Sequence, residues 1–260
     1  MMPQPSAITV ERIGHITRIT IQREARRNAL DRCAQEQLSD ALDEFSADRH
    51  QRVAILTGAG TKAFCAGHDL TTPTPSGVDG LLPNGFGGVT ARFDLDKPLI
   101  AAVNGAAFGG GFEMVLACDI VIAAQTASFA LPEVVVGVAA MGGGILRLAR
   151  HLSHQQAMGI ILTGRPVSAD QALAMGFVNE VVCYDRLQAT AMEWADSIVR
   201  ASPMAVRASK RIALDCAEGT MRQANRDQWD LPTVRTAMRS GDWSEGPRAF
   251  TEKRKPRWQD

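Results

Sequence analysis

The sequence predicts an α/β fold, a core of alternating strands and helices over residues 1–184 followed by a helical region over 185–260. Three observations carry this reading. Short apolar runs that end in glycine, "RVAILTG" (52–58) and "KPLIAAVNG" (97–105), have the look of buried strands. Each leads into a glycine-rich turn, and the order strand, turn, helix, strand recurs without an internal repeat of fixed period. Strand signals stop near Asp185.

Taken in order, residues 8–22 alternate branched apolar and polar side chains around Gly14-His15, which predicts a hairpin. Asp31 can cap a helix running to about Phe45, with Leu38, Ala41, Leu42 and Phe45 on one face. Beyond the two buried strands, "DIVIAA" (119–124) and "ASFALPE" (127–133) predict further strands and "GGILRLARHL" (143–152) a helix. Three helices are expected over 186–201, 204–217 and 219–240, divided at Ser202-Pro203 and Gly219. Residues 71–90 hold five Gly, three Pro and one charge, Asp79, the composition of a lid, a binding loop or a plain surface linker.

Composition excludes several classes. Lys plus Arg and Asp plus Glu balance at 28 each, so no global field favours nucleic acid or an anionic membrane surface. Five cysteines, Cys33, Cys65, Cys118, Cys183 and Cys216, contain no C-x-x-C pair, against both a disulfide framework and a zinc knuckle. The N-terminus has no basic region followed by an apolar run, and no stretch approaches the roughly 18 apolar residues of a membrane span. A cytoplasmic protein is expected.

The most informative stretch is "NGAAFGGGFEMVLACD", residues 104–119. A dinucleotide fingerprint starting at Gly109 fails because Met114 stands where its third glycine belongs. A phosphate loop from Gly105 to Gly110 fails because Gly111-Phe112 replaces the Lys-Ser or Lys-Thr that would reach phosphate and magnesium. No G-x-S-x-G or H-E-x-x-H is present, and His151 and His154 share a helical face without an acidic or thiol partner near them in sequence. What remains is a backbone donor beside a carboxylate. A glycine turn opening a helix leaves its first N–H groups unpaired and gives an incoming oxygen close access. Glu113, three residues past Gly110, either serves chemistry there or merely complements the helix dipole. Glu133 in "FALPEVVVGV" and the turn "FCAGHDL" (64–70) are, taken alone, a solvent-facing carboxylate and an ordinary loop.

These stretches, in this order, resemble the crotonase superfamily, the enoyl-CoA hydratases and isomerases. The resemblance spans nearly the whole chain through "REARRNALD", "AILTGAGTKAFCAGHDL", "KPLIAAVNGAAFGGGFEMVLACDIVIA", "ASFALPEVVVGV", "LTGRPVSADQALAMGFVNEVV" and "EGPRAFTEKRKP". "NGAAFGGGFE", "ASFALPE" and "EGPRAFTEKR" look especially like its carnitinyl-CoA dehydratase branch. The resemblance implies a crotonase (ClpP/crotonase-like) spiral core of repeated ββα units with a helical C-terminal trimerisation region. It also implies an acyl-CoA substrate, a homotrimer or dimer of trimers, and no cofactor or metal beyond the coenzyme A of the substrate.

By the same resemblance, the backbone N–H groups of His68 and Gly110 form an oxyanion hole. Glu133 exchanges the proton at Cα, and Glu113 orients and activates water. Arg26, Ala66, Gly67, Asp69 and Leu70 match coenzyme A contacts, as do Phe250 and Lys253 from a neighbouring subunit. Without the motif, Lys253 reads equally as a solvated charge. Adding water across an unsaturated thioester pushes charge onto the carbonyl oxygen and moves two protons, which two fixed donors and two carboxyls can serve.

One departure concerns the acyl group. Ala140 stands where the hydratases usually have Pro, and Met141 occupies a position that often faces the acyl pocket. The leading expectation is an enoyl-CoA hydratase-type lyase. The alternatives are a carnitinyl-CoA dehydratase, with Trp229, Trp243 or Phe86 available to face a quaternary ammonium, a double-bond isomerase, and a non-catalytic acyl-CoA-binding scaffold.

Overall fold

The computed structural model describes residues 6–72, 82–217 and 219–259, so 73–81 of the Gly- and Pro-rich segment, Asp79 among them, lie outside the described residues. β1 (Ile8–Ile13) and β2 (Ile16–Ile21) form the expected antiparallel hairpin around Gly14. α1 (Arg32–Ala47) follows, capped by Asp31, whose side chain accepts a hydrogen bond from the Ala34 N–H. It buries Leu38, Ala41, Leu42 and Phe45, the face predicted from their spacing.

From there the chain passes back and forth between two sheets. β3 (Val53–Gly58), β5 (Leu99–Val103), β7 (Ile120–Ala124) and β10 (Glu180–Val182) extend the hairpin into a six-stranded sheet ordered β1-β2-β3-β5-β7-β10. Alternating with them, β4 (Ala63–Cys65), β6 (Ala106–Phe108), β8 (Ser128–Ala130) and β9 (Val167–Ser168) build a four-stranded sheet in that order. β6 feeds α2 (Gly110–Ala117), and β8 leads through a 3-10 turn over Pro132–Val136 to α3 (Gly144–His151). The units β5–β6–α2 and β7–β8–α3 are therefore successive turns of one spiral, each adding a parallel strand to both sheets. β4, β6 and β9 were not foreseen, because two or three residues are too few to display an alternating pattern.

The passage from the large sheet to the small one is a tight corner. A methyl group at Gly58 would fall 2.4 Å from the Phe64 carbonyl oxygen. Asn104, 1% exposed, closes the corner by accepting from Gly58 N–H (3.0 Å) and donating to the carbonyls of Gly60 (2.8 Å) and Ala63 (3.0 Å). Asn28 adds bonds to the carbonyls of Ala59 (3.0 Å) and Ala63 (2.7 Å). The carbonyls of Ala59 and Gly60 lie between β3 and β4, outside both strands, and the two buried amides supply their donors.

One face of the large sheet packs on α1 and the small sheet through Ile19, Ile21, Leu56, Ala101 and Val103. α6 (Tyr184–Val199) covers the other, laying Leu187, Ala191 and Ala195 on Val53, Ile55, Ile100 and Ile122. α4 (His154–Thr163) and α5 (Ala169–Met175) lie between β8 and β10 in the chain.

After α6 only helices follow among the described residues: α7 (Pro203–Asp215), α8 (Met221–Asp227), α9 (Pro232–Arg239) and α10 (Asp242–Thr251). The single helix expected over 219–240 is two, broken at Leu231-Pro232, because proline lacks an N–H and pushes the residue before it into an extended conformation. α7 is tied to the core by Arg207–Asp96 and Lys210–Asp119 ion pairs, both 2.7 Å. Glu245 on α10 accepts from Arg254 (2.6 Å) and from the Arg257 N–H (2.7 Å), folding the tail back on the helix.

Asn104→Ala would leave the Gly58 N–H without its side-chain acceptor and take one of two side-chain donors from each of the carbonyls of Gly60 and Ala63, which keep Tyr184 and Asn28. We expect a loss of about 2–4 kcal/mol in urea unfolding, with the slope of the transition unchanged; a loss under about 0.5 kcal/mol would show that the corner holds without it.

Candidate active site

Two glycine turns meet at one end of the small sheet. The first leaves β4 through Ala66, Gly67 and His68. Leu30 N–H donates to the Gly67 carbonyl (2.9 Å) and Asp69 N–H donates to the Leu30 carbonyl (3.0 Å), with His68 between these two bonds. Asp69 is buried and its carboxylate accepts from the Thr71 hydroxyl (2.7 Å), the Thr71 N–H (3.1 Å) and Arg23 (3.2 Å). The Thr71 hydroxyl first, then its N–H and Arg23, hold this carboxyl below the usual carboxylate range against the opposing effect of burial. The side chain of Asp69 thus braces the turn.

The second turn joins β6 to α2. Gly109, at φ 55°, donates its N–H to the Ala130 carbonyl (2.9 Å), and Gly110 opens the helix, where an N–H has no intrahelical acceptor. The turns touch backbone to backbone. A methyl group at Gly67 would stand 3.2 Å from the Gly110 nitrogen, and one at Gly111 only 2.0 Å from the Cys65 carbonyl oxygen. The sequence-predicted donors His68 and Gly110 are therefore brought to one place. Phe86 covers Gly110, its ring 2.6 Å from where a methyl there would lie, and meets the His68 ring edge-on at 6.5 Å between centroids. Burial lowers the His68 imidazole below its ordinary value, with Asp69 and Asp31 opposing, so the ring is neutral at pH 7.

The two glutamates arrive from different elements. Glu113, in the first turn of α2, is 4% exposed and accepts from the Gly144 N–H (2.9 Å) at the start of α3. Methyl groups at Gly142 and Gly144 would lie 2.4 and 2.9 Å from Glu113 side-chain atoms, so this glycine pair forms a seat for the carboxyl. Burial pushes Glu113 up to about 7; the N–H groups of Gly144 and Gly142 and the Arg147 guanidinium oppose this, and the charge of Glu133 adds to it. Glu133 stands in the 3-10 turn after β8, with Oε1 3.0 Å from where a methyl on Gly109 would lie. Its Oε2 is buried with no hydrogen-bond partner among the described residues, and burial raises this carboxyl too.

Other sequence-predicted residues fall elsewhere. Ala66 lies in the first turn, its N–H donating to the carbonyl of Arg27; Arg26 is exposed, and Leu70 is 83% exposed. Met141 precedes the Gly142–Gly144 seat but is 77% exposed, while Ala140 is buried. Phe250 and Lys253 are exposed at the end of α10. Trp229 and Trp243 line a separate cavity of about 590 Å³ among α7, α9 and α10; of the three rings considered, Phe86 stands at the site. The sequence reading missed Gly142, Gly144 and Arg147. A glycine triplet opening a helix was visible, but which side chain it receives depends on the packing of α2 against α3.

Two nearby carboxyls that both resist ionisation can divide a proton between them, one holding it while the other accepts. Backbone donors at a helix start suit an oxygen that gains negative charge. Cys65, between the turns, is fully buried with its thiol pushed up to about 12, too high for a nucleophile near neutral pH. Among the described residues, no three His, Cys, Asp or Glu gather where they could hold a metal ion, and no helix is long and apolar enough to cross a membrane.

Comparison with known proteins places this geometry in context. The sequence profile of the Enoyl-CoA hydratase/isomerase family matches residues 11–260. A carnitinyl-CoA dehydratase of Salmonella typhi is 41% identical over 258 residues, covering 97% of this chain and 98% of that protein. A crystal structure of an enoyl-CoA hydratase from Mycobacterium marinum superposes with a TM-score of 0.89 at 37% identity, over 98% of this chain and 99% of that one. One of a carnitinyl-CoA hydratase from Mycobacterium avium gives 0.77 at 40% identity, with the same coverage.

The raised carboxyl of Glu113 has a consequence for stability. The folded state holds its proton more tightly than the unfolded chain, so its contribution is present below about pH 4.5 and lost as pH rises through about 7. Glu113→Gln, a neutral side chain of the same shape, should remove this loss and be more stable than wild type at pH 8.5, on the order of 3 kcal/mol, but not at pH 4. Chemical denaturation at the two pH values checks it; equal differences at both would show that the carboxylate is not destabilising.

Proposed function

The chain belongs to the enoyl-CoA hydratase/isomerase family, and from that premise we propose that it adds water to, or removes it from, the α,β double bond of an acyl-CoA thioester. The observation that carries the reading is that Glu113, three residues into the helix that Gly110 opens and seated on the Gly142–Gly144 turn, and Glu133, standing over Gly109, are both raised by burial, with the charge of Glu133 acting on Glu113. An isomerase can work with one proton-carrying carboxyl; two with separate seats suit a reaction that handles a water and a carbon acid together.

In this mechanism the thioester oxygen accepts from the backbone N–H groups of His68 and Gly110. Their positions are set by the contact between the turns, so they need little reorganisation as charge develops. Glu113 takes a proton from water as its oxygen attacks Cβ. The electron pair of the double bond moves toward the carbonyl oxygen, and Glu133 delivers a proton to Cα as the enolate collapses. Dehydration runs the same steps backwards. The neutral His68 ring leaves the proton transfers to the carboxyls, and the thioester carbonyl is the electron sink.

The coenzyme A moiety is assigned to Arg26, Ala66, Gly67, Asp69 and Leu70. Asp69 acts through the turn it braces, and the exposed Leu70 is available to the ligand. Phe250, 87% exposed, and Lys253 are assigned to coenzyme A on a neighbouring subunit of a homotrimer or dimer of trimers. Five free cysteines agree with a reducing cytoplasm.

A second reading concerns the acyl group. The relatives named for carnitinyl-CoA favour that substrate, and Phe86 offers an aromatic face beside the reacting position.

Crotonyl-CoA and crotonobetainyl-CoA, followed by loss of the conjugated thioester absorbance, test both readings. The wild type should turn over at least one of them. Glu113→Gln and Glu133→Gln should each lower kcat by about 10²–10⁴ with little change in KM. Unchanged rates in both variants would overturn the assignment of the pair.

A further inference from the structure

The donor that His68 supplies to the proposed oxyanion hole is the N–H of a single peptide, and that peptide is held from its other side. The Leu30 N–H donates to the Gly67 carbonyl (2.9 Å). This carbonyl and the His68 N–H share one planar trans peptide and point in opposite directions, so the bond turns the His68 N–H away from Leu30. Two more backbone bonds keep the segments in register, from the Ala66 N–H to the Arg27 carbonyl (3.1 Å) and from the Asp69 N–H to the Leu30 carbonyl (3.0 Å). Gly110 lies against the same turn, its nitrogen 3.2 Å from where a methyl on Gly67 would be. The register of residues 27–31 on 66–69 thus aims one donor relative to the other.

One side chain spans this pairing. The guanidinium of Arg23, a side chain 17% exposed, places Nη2 2.5 Å from the Asp31 carboxylate and 3.2 Å from that of Asp69, and its Nη1 donates to the Ala29 carbonyl. Asp31 and Asp69 directly follow Leu30 and His68, the two residues that the bridge pairs. Two carboxylates so placed repel each other, and a cation shared between them turns the repulsion into a clamp. Asp31 uses its other oxygen to accept the Ala34 N–H (2.8 Å) at the start of α1, so the clamp is anchored to a helix. Arg23 is itself fixed, its N–H donating to the Asn28 side-chain carbonyl (3.0 Å) while the Asn28 amide nitrogen holds the carbonyls of Ala59 and Ala63. Three acceptors from two segments match the planar fork of an arginine, not the point charge of a lysine.

We propose that Arg23 is a positioning residue for the reaction: by clamping Asp31 to Asp69 it holds the His68 N–H on the thioester oxygen. The inference rests on the reading of His68 and Gly110 as the oxyanion donors. Arg23 needs no contact with substrate, because it acts through the turn whose direction it fixes. A displaced donor polarises the carbonyl less, and a misplacement of about 1 Å can cost about a hundredfold in rate. The loss falls mainly on the transition state, where charge on the oxygen is greatest, and less on binding.

The test compares wild type with Arg23→Gln, Arg23→Lys and Asp31→Asn. It reads kcat and KM on crotonyl-CoA or crotonobetainyl-CoA, whichever is turned over, and the carbonyl stretch of bound butyryl-CoA, a saturated thioester that cannot take up water, by isotope-edited infrared difference spectroscopy. In the wild type the stretch should fall below its value in solution. Arg23→Gln should lower kcat by about 10–100-fold, change KM less, and return the stretch part of the way to its solution value. Arg23→Lys, which keeps the charge without the fork, should lie between the two. A stretch in Arg23→Gln equal to that of the wild type would mean that Arg23 only stabilises its loop, and the inference would fall. Should Arg23→Gln not fold, Asp31→Asn decides, since it keeps a good helix cap while weakening the clamp; its stretch should move the same way, and an unmoved stretch would overturn the inference. A wild-type stretch unchanged from solution would instead defeat the oxyanion assignment, and the role of Arg23 with it.

Discussion

A missing Cβ is the constraint on which the rest of the site depends. At Gly111 a methyl group would sit 2.0 Å from the Cys65 carbonyl oxygen, so the first turn of α2 can lie directly on the end of β4 only because that side chain is absent. This approach brings Gly67 against Gly110 and makes two distant loops one surface of backbone donors. It also fixes where Glu113 leaves the helix, and hence which turn can receive its carboxyl. Asn104 and Asn28 serve the same end one corner away, where the chain crosses between sheets and buried carbonyls require donors.

The second organising feature is the unequal treatment of two carboxyls. Both are buried, and burial raises both. Glu113 nevertheless sits on the N-terminus of α3, accepting from the Gly144 N–H, whereas Glu133 has an oxygen with no partner among the described residues. Both environments favour the proton, Glu113 being pushed up to about 7 despite its peptide donors, but from separate seats with different hydrogen-bond partners. That separation arises because the two residues belong to successive turns of the spiral, one on a helix and one on the turn after a strand, and meet only through packing.

The C-terminal helices follow a different rule. α6 belongs structurally to the sheet, whose second face it covers with Leu187, Ala191 and Ala195. α7 and α9 have a small cluster of their own around Ala208, Val234 and Ala237, joined to the core by ion pairs. Trp229, Trp243 and Phe250 remain more than half exposed there, a large apolar surface for a single chain.

The sequence by itself determined the hairpin, the capped face of α1, the buried strands β3, β5 and β7, and the helical character of the C-terminal region. Each is written in a local period or a cap. The same locality made Gly110 and Glu113 legible as a donor beside an acid, and the order of motifs along the chain pointed to the family. Tertiary structure alone decided the short strands β4, β6 and β9, which exist by pairing within the small sheet, β4 with β6 and both β6 and β9 with β8. It alone decided the exposure of Met141 beside a buried Ala140, whereas the break at Pro232 inside a continuous helical pattern is local proline chemistry. Most of all, it decided that Glu133, read alone as a solvent-facing carboxylate, stands over Gly109, and that the Gly142–Gly144 turn receives Glu113. Those relations join residues tens of positions apart, and their electrostatics come from the burial that only the assembled spiral supplies.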